Sequence, residues 1–230
     1  MAAHAPDRDL TEEVTVRARE AGADLVGFAD LRGIAELPRA VVLAIRHSPA
    51  VLRDAEDMPN AAYSQEYLDL NARLTEAVEG LADLLRQSRR RAVANPATVA
   101  WSQIDPDRLA APFAHKTAAT RAGLGWIGKC ALLVTPELGP ALRLASVLTD
   151  APLEVGEPIA ESRCGECSAC VEACPAGAVT GENWYAGRPR EELLDAQACH
   201  RMCAERSLAR GIKRGRCGIC MAVCPRRPRG

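Results

Sequence analysis

A chain of 230 residues, 48% of them apolar and 26% charged, has enough material for a folded core of its own. Its 29 basic and 30 acidic side chains leave a net charge of −1, which excludes a protein that holds polyanions by bulk charge. The longest purely aliphatic run, residues 40–45, is far too short to cross a bilayer, and the opening MAAHAPDRDL holds no apolar signal segment, so the expectation is a cytoplasmic protein without membrane contact.

In chain order, residues 10–21 predict a helix, with Asp9 or Thr11 as N-cap and Glu12 and Glu13 in the first turn. Residues 25–29 and 40–45 are apolar runs of strand length. A long helix is predicted over 63–89, because Leu70, Leu74, Val78, Leu81 and Leu85 recur at three and four residues and form one stripe. Residues 99–104 read as a strand, 115–122 as a short helix, and 131–134 and 141–148 as two strands around the turn at 135–140. A stretch rich in Pro, Gly and Glu, residues 154–161, reads as a linker. Residues 1–158 are therefore expected to form a mixed α/β domain, and residues 159–230 a second one.

The run Gly123-Leu-Gly-Trp-Ile-Gly128-Lys129-Cys130 matches G-x-G-x-x-G and nearly matches a phosphate-binding loop. Both motifs need a strand before the glycines and a helix after them, whose free amides hold the phosphate. Here the predicted order is helix, glycines, strand, and Cys130 replaces the hydroxyl that would meet magnesium. The glycines read instead as a tight loop whose backbone approaches something flat and large.

Seven of the 10 cysteines fall in two groups: Cys164, Cys167, Cys170 and Cys174 before Pro175, and Cys217, Cys220 and Cys224 before Pro225. The first reads C-x2-C-x2-C-x3-C-P, the run of a bacterial two-cluster ferredoxin, in which three thiolates take one 4Fe-4S cluster and the fourth crosses to a second. A structural zinc needs only paired C-x2-C units or histidine, and this spacing overshoots that need. Disulfides do not suit a chain with no sign of export. In the second group Arg214 stands where a full copy would have cysteine, so one ligand must come from elsewhere. Cys199 and Cys203 lie four apart on one face of a helix expected within 191–210. The assignment is Cys164, Cys167, Cys170 and Cys224 for one cluster and Cys174, Cys199, Cys217 and Cys220 for the other, with Cys203 as a buried thiol beside Cys199.

From residue 199 onward the chain carries Arg201, Arg206, Arg210, Lys213, Arg214, Arg216, Arg226, Arg227 and Arg229 against Glu205 alone. Such a stripe suits phosphates, but without interleaved aromatics it reads better as a counterweight to two thiolate-ligated clusters.

Taken with Leu132-Leu-Val, Leu148-Thr-Asp-Ala-Pro-Leu153 and both cysteine groups, the glycine run resembles the epoxyqueuosine reductase family, cobalamin and iron-sulfur enzymes that complete queuosine in tRNA. The resemblance runs from about residue 18 to Pro225, and Asp195-Ala-Gln-Ala-Cys199 is similar to the family's extra cysteine ligand. It implies an α+β molecule, in which a nitroreductase-like α/β domain carrying cobalamin, with flavin as the alternative, precedes a ferredoxin-like domain with two 4Fe-4S clusters. It makes the flat partner of the glycine loop a corrin, with Trp126, Gly128 and Lys129 as cofactor contacts. Two departures stand out. The sequence stops five residues after Pro225, so the family's C-terminal helical-repeat domain is expected to be missing, and tRNA binding with it. The family's acidic residue precedes Ala-Pro, and at Ala111-Pro112 that place is Leu109; Asp107, two residues away, and Lys116 are the candidate catalytic residues.

Other polar residues read more plainly: His115 as a capping or surface residue, Cys130 as a small buried one, and Asp150 as a turn former. Two functions remain. In the first, a reduced ferredoxin or flavodoxin feeds the clusters, which reduce a cobalamin or flavin centre acting on a small or nucleoside-like substrate. In the second, the clusters relay electrons to a partner enzyme, and the first domain is a docking scaffold without an organic cofactor. A whole α/β domain exceeds what a relay needs, which favours the enzyme.

Overall fold

The computed structural model describes residues 5–213 and 216–228. Its elements run α1 (Arg8–Glu20), β1 (Leu25–Asp30), β2 (Arg39–Arg46), α2 (Ala61–Gln87), β3 (Ala92–Asn95), α3 (His115–Arg121), β4 (Trp126–Ile127), β5 (Leu133–Val134) and β6 (Leu142–Thr149). Then come α4 (Ala169–Glu172), α5 (Ala196–Ala209) and α6 (Ile219–Ala222). Four strands make one antiparallel sheet in the order β1-β2-β6-β3, with Val41 opposite Val147 and Leu43 opposite Ala145 in its centre.

Alternation along β2 divides the core. Val41, Leu43 and Ile45 point to one face, where the α2 stripe of Leu70, Leu74, Val78, Leu81 and Leu85 meets Leu10, Val14 and Ala18 of α1. Ala40 and Val42 point to the other, against Ala118, Ala119 and Ala122 of α3 and Ile127, Leu133 and Leu138. A third core joins the two halves of the sequence: Leu52, Met58, Tyr63 and Ala141 pack with Ile219, Met221 and Ala222.

Several boundaries differ from the sequence reading. Asp7, not Asp9 or Thr11, caps α1, its carboxylate accepting from Leu10 N at 3.0 Å. The strand expected at 99–104 is a single 3-10 turn, Trp101–Gln103, and the slot beside β6 is taken by Ala92–Asn95. The strand at 131–134 shrinks to two residues, because Ala131 has a positive φ of 58° and turns the chain between β4 and β5. The expected linker is pinned along the first half, with Gly156 N donating to Phe28 O at 2.8 Å and Ile159 N to Thr120 O at 2.9 Å. The helix expected within 191–210 starts at Ala196, where Asp195 caps it through Ala198 N at 2.9 Å. Among the described residues no helix is long and apolar enough to cross a membrane.

Candidate metal centres and the adjoining cavity

The two cysteine motifs fold alike. In each motif the cysteine before the C-x3-C-P step, Cys170 or Cys220, is the second residue of a one-turn helix, α4 or α6, and these helices pack on each other. Burial raises the pKa of Cys224, and Cys164, Cys170 and Cys167 raise it further, so these four thiols share one neighbourhood. Cys199 sits with Cys174 and Cys217, its pKa lowered by a hydrogen bond with Cys203 against the opposing effects of burial and those two thiols. Cys203 is half-buried rather than buried, and its Sγ accepts from Cys217 N at 3.4 Å. It lies beside both Cys199 and Cys217. Soft sulfur donors are what iron-sulfur clusters take, and among the described residues no three potential ligands converge on a single metal-ion site.

The glycine loop forms the wall on which these thiols rest. No helix follows it; α3 leads in and the β4-β5 hairpin leads out, an order unlike a phosphate loop. A side chain on Gly128 would meet Val134 Cγ2 at 2.8 Å and Cys164 Sγ at 3.6 Å. One on Gly125 would lie 2.2 Å from Val134 O, and one on Gly123, at φ +74°, 2.6 Å from Glu157 O. The backbone approach that these glycines permit is therefore to protein and to a cluster cysteine. Trp126 is 1% exposed, with the guanidinium groups of Arg163 and Arg226 at 5.7 and 5.6 Å from its ring centroid. Its Nε1 has no partner among the described residues. Lys129 is buried beside Cys170.

Behind this wall lies a cavity of about 260 Å³ lined by Pro96, Phe113, Lys116, Leu132 and Arg143 among others. Lys116 is one of the lining residues, and its ammonium donates to Ala131 O at 2.6 Å. Burial, with Arg190 nearby, lowers this lysine to about 8. His115 is tied on both nitrogens: Pro96 O only accepts, so Nε2 donates to it at 3.1 Å and Nδ1 accepts from Ser146 Oγ at 2.9 Å. That fixes a neutral ring with a structural role, in place of the capping or surface residue expected. Asp107 is exposed, does not line the cavity, and its carbonyl accepts from Gln197 Nε2 at 3.1 Å, so the structure separates the two candidate catalytic residues.

Arg143 is a residue the sequence reading passed over, although a cation inside the apolar strand β6 was a visible signal. It donates to Asn71 Oδ1 at 2.9 Å and lies 4.1 Å from the ring centroid of Tyr67, with Arg216 at 5.1 Å. Burial of Tyr67 opposes ionisation, but Arg143 and Arg216 outweigh it and bring the phenol down to about 8. The basic stripe is largely engaged inside the molecule: Arg206 donates to Met58 O and Arg210 to Glu56 O. Arg226 covers Trp126, and Arg227 bonds Ala222 O. Arg214 and Arg229 lie outside the described residues.

Residues 163–227 match the family model of the 4Fe-4S double cluster binding domain. The epoxyqueuosine reductase of Vibrio cholerae is 36% identical over 115 residues, 50% of this chain and 31% of that enzyme; the Escherichia coli enzyme is 33% identical over the same length. The chain is related to the epoxyqueuosine reductases. The match spans about a third of the length of those relatives. Among solved structures, the catabolic reductive dehalogenase NpRdhA superposes with a TM-score of 0.73 at 21% identity over 94% of this chain and 32% of its own. An epoxyqueuosine reductase superposes at 0.62 and 20%, over 95% of this chain and 65% of its own. The molecule therefore has the mixed α+β core found in those reductases, with a 4Fe-4S double-cluster domain.

Proposed function

We propose that this protein is a reductase that carries electrons through two 4Fe-4S clusters to a molecule held in the cavity behind the glycine loop. The supporting observation is continuity. Cys130 touches Cys170 and Cys220, and the next three residues, Ala131, Leu132 and Leu133, line the cavity. A cluster on either set thus lies one loop away from the pocket. Each cluster supplies one electron at a time, so a filled pair matches a two-electron reduction. Lys116 holds a proton at Nζ beside the cavity, Arg143 supplies a fixed positive charge, and the rest of the lining is mostly apolar.

One structural neighbour is a reductive dehalogenase whose structure suggests a mechanism for B12-dependent dehalogenation, which makes cobalamin the organic cofactor to consider first. The cavity is smaller than the roughly 300–1,000 Å³ usual for cofactor sites, so a whole corrin or flavin does not fit inside it. It suits a small electrophile, or one edge of a larger ring. The electron donor proposed is a reduced ferredoxin or flavodoxin.

Anaerobic purification tests this reading. About eight irons per chain are expected, with labile sulfide to match, and the reduced protein should be reoxidised by a small electrophile faster than a Lys116→Met variant. Zinc in place of iron, or clusters whose reoxidation ignores both the electrophile and Lys116, would overturn it. Mass analysis of extracts, with and without added cobalamin, decides whether an organic cofactor is retained.

A further inference from the structure

Arg143 is the single cation in β6, and among the described residues it lines the cavity without joining any ion pair. Its bonds go to neutral groups. Nε donates to Asn71 Oδ1 at 2.9 Å and Nη2 to Ala97 O at 3.3 Å, while the Tyr67 ring covers one face of the guanidinium, 4.1 Å from its centroid. Asn71 is itself fixed, because its amide nitrogen donates to Thr98 Oγ1 at 3.0 Å and so turns the amide oxygen to Arg143. These contacts use the Nε–Nη2 edge of the fork and lock its plane. The outer edge stays available, since Nη1 donates to nothing among the described residues. Ala97 also lines the cavity, so the charged end of Arg143, and not its stem alone, lies at the pocket. Arg216 stands 5.1 Å from the same Tyr67 ring, and this corner is positive enough to bring the buried phenol down to about 8.

We propose that the cavity is a site for a small organic carboxylate, whose two oxygens meet the outer edge of Arg143 while its apolar body rests on Phe113, Pro140 and Leu142. As a substrate class, this rests on the reductase reading above. A planar fork with one edge left over matches the two oxygens of a carboxylate. A phosphate asks for more donors than the lining side chains offer, because His115 is tied through both nitrogens and the Lys116 ammonium is bonded to Ala131 O. The remaining lining is mostly apolar and suits an uncharged body, and a cavity of about 260 Å³ keeps that body small.

The test uses the full chain, purified anaerobically with its clusters, as wild type, Arg143→Gln and Val99→Trp. Val99 lines the cavity from a stretch without helix or strand, so a large side chain there fills the pocket and leaves Arg143 in place. Cyclohexanecarboxylate, the matching uncharged amide and inorganic phosphate are titrated against the oxidised protein by calorimetry, with iron counted and circular dichroism recorded for each variant. Wild type should bind the carboxylate saturably and roughly ten- to hundredfold more tightly than the amide, the ratio that hydrogen bonds to a charged group supply. Arg143→Gln should erase that preference, and Val99→Trp should abolish binding of both while keeping fold and iron. Should Arg143→Gln fail to fold, the acid and amide on wild type and Val99→Trp decide by themselves. Equal affinity for acid and amide in wild type, phosphate bound more tightly than the carboxylate, or undiminished binding in Val99→Trp would overturn the proposal. Carboxylate binding by protein without about eight irons would defeat the reductase reading and leave this site standing; eight irons with no carboxylate binding would do the reverse.

Discussion

Enclosure holds the Lys116 ammonium down to about 8, against 10.5 for a free lysine, so carrying its charge into the cavity wall costs the folded state up to roughly 3 kcal/mol at neutral pH. Between about pH 8 and 10.5 the unfolded chain binds the extra proton, and wild-type stability rises with pH across that window. Lys116→Met should therefore be more stable than wild type at pH 7 by roughly 1–3 kcal/mol, and the gain should shrink above pH 8; urea denaturation at both pH values measures it. His115 carries the same kind of burden at the acid end. Burial pushes it down to about 4, Arg143 adding to the effect against the Pro96 carbonyl. Its neutral ring contributes fully above about pH 6.5, and the contribution is lost as pH falls through 4, because the unfolded histidine takes the proton first. A His115→Gln variant should be less stable at pH 7 and should show a flatter decline between pH 6.5 and 4 in the same assay.

The glycine loop is the element whose role differs most from what its sequence suggests. A flat ligand was expected beside Gly128, and what the structure places within reach of a side chain there is Val134 and Cys164. Gly128→Val should accordingly disturb the first cluster, with iron content falling by about four per chain; a variant with full iron would show that the loop yields. Gly125→Ala, whose new carbon would lie 2.2 Å from Val134 O, should cost roughly 2 kcal/mol or more by strain, read as a lower midpoint of thermal unfolding. Elements whose periodicity is long were legible from sequence: the α2 stripe is buried at each of its five leucine and valine positions, and β2 and β6 extend only a residue or two past their apolar runs. The two-residue strands β4 and β5 and the edge strand β3 were not, since their pairing depends on partners far along the chain rather than on a local pattern. The same division holds for the site. Cysteine spacing is a local signal and carried the 4Fe-4S double-cluster domain, whereas the enclosure of Lys116 and the surroundings of Cys130 exist only once α3, the glycine loop, α4 and α6 are folded together.

At the scale of the whole molecule, the proposed crossed ligand sets join residues 164–174 to residues 199–224, and the third core ties α6 to Met58 and Tyr63 of the first half. Iron is thus expected to hold the second half in place without being needed by the sheet. Removing it with a chelator should raise amide hydrogen exchange across residues 163–227 while α2 and β2 keep their protection. A uniform loss of protection would instead mean that the two halves fold only as one unit.

Arg163 immediately precedes the first cluster cysteine and Arg226 follows the last one by two residues, and both guanidinium groups rest on the Trp126 ring, with Arg226 also donating to Arg163 O at 3.5 Å. The cluster-bearing stretch therefore leaves the first half and returns to it at a single indole. A segment whose ends meet is a cassette. Meeting ends do not by themselves make it portable, because Ile219, Met221 and Ala222 also pack on Leu52, Met58 and Tyr63. On another scaffold the stretch is expected to assemble its metal sites only where the host supplies both an aromatic ring at the seam and an apolar seat for α6.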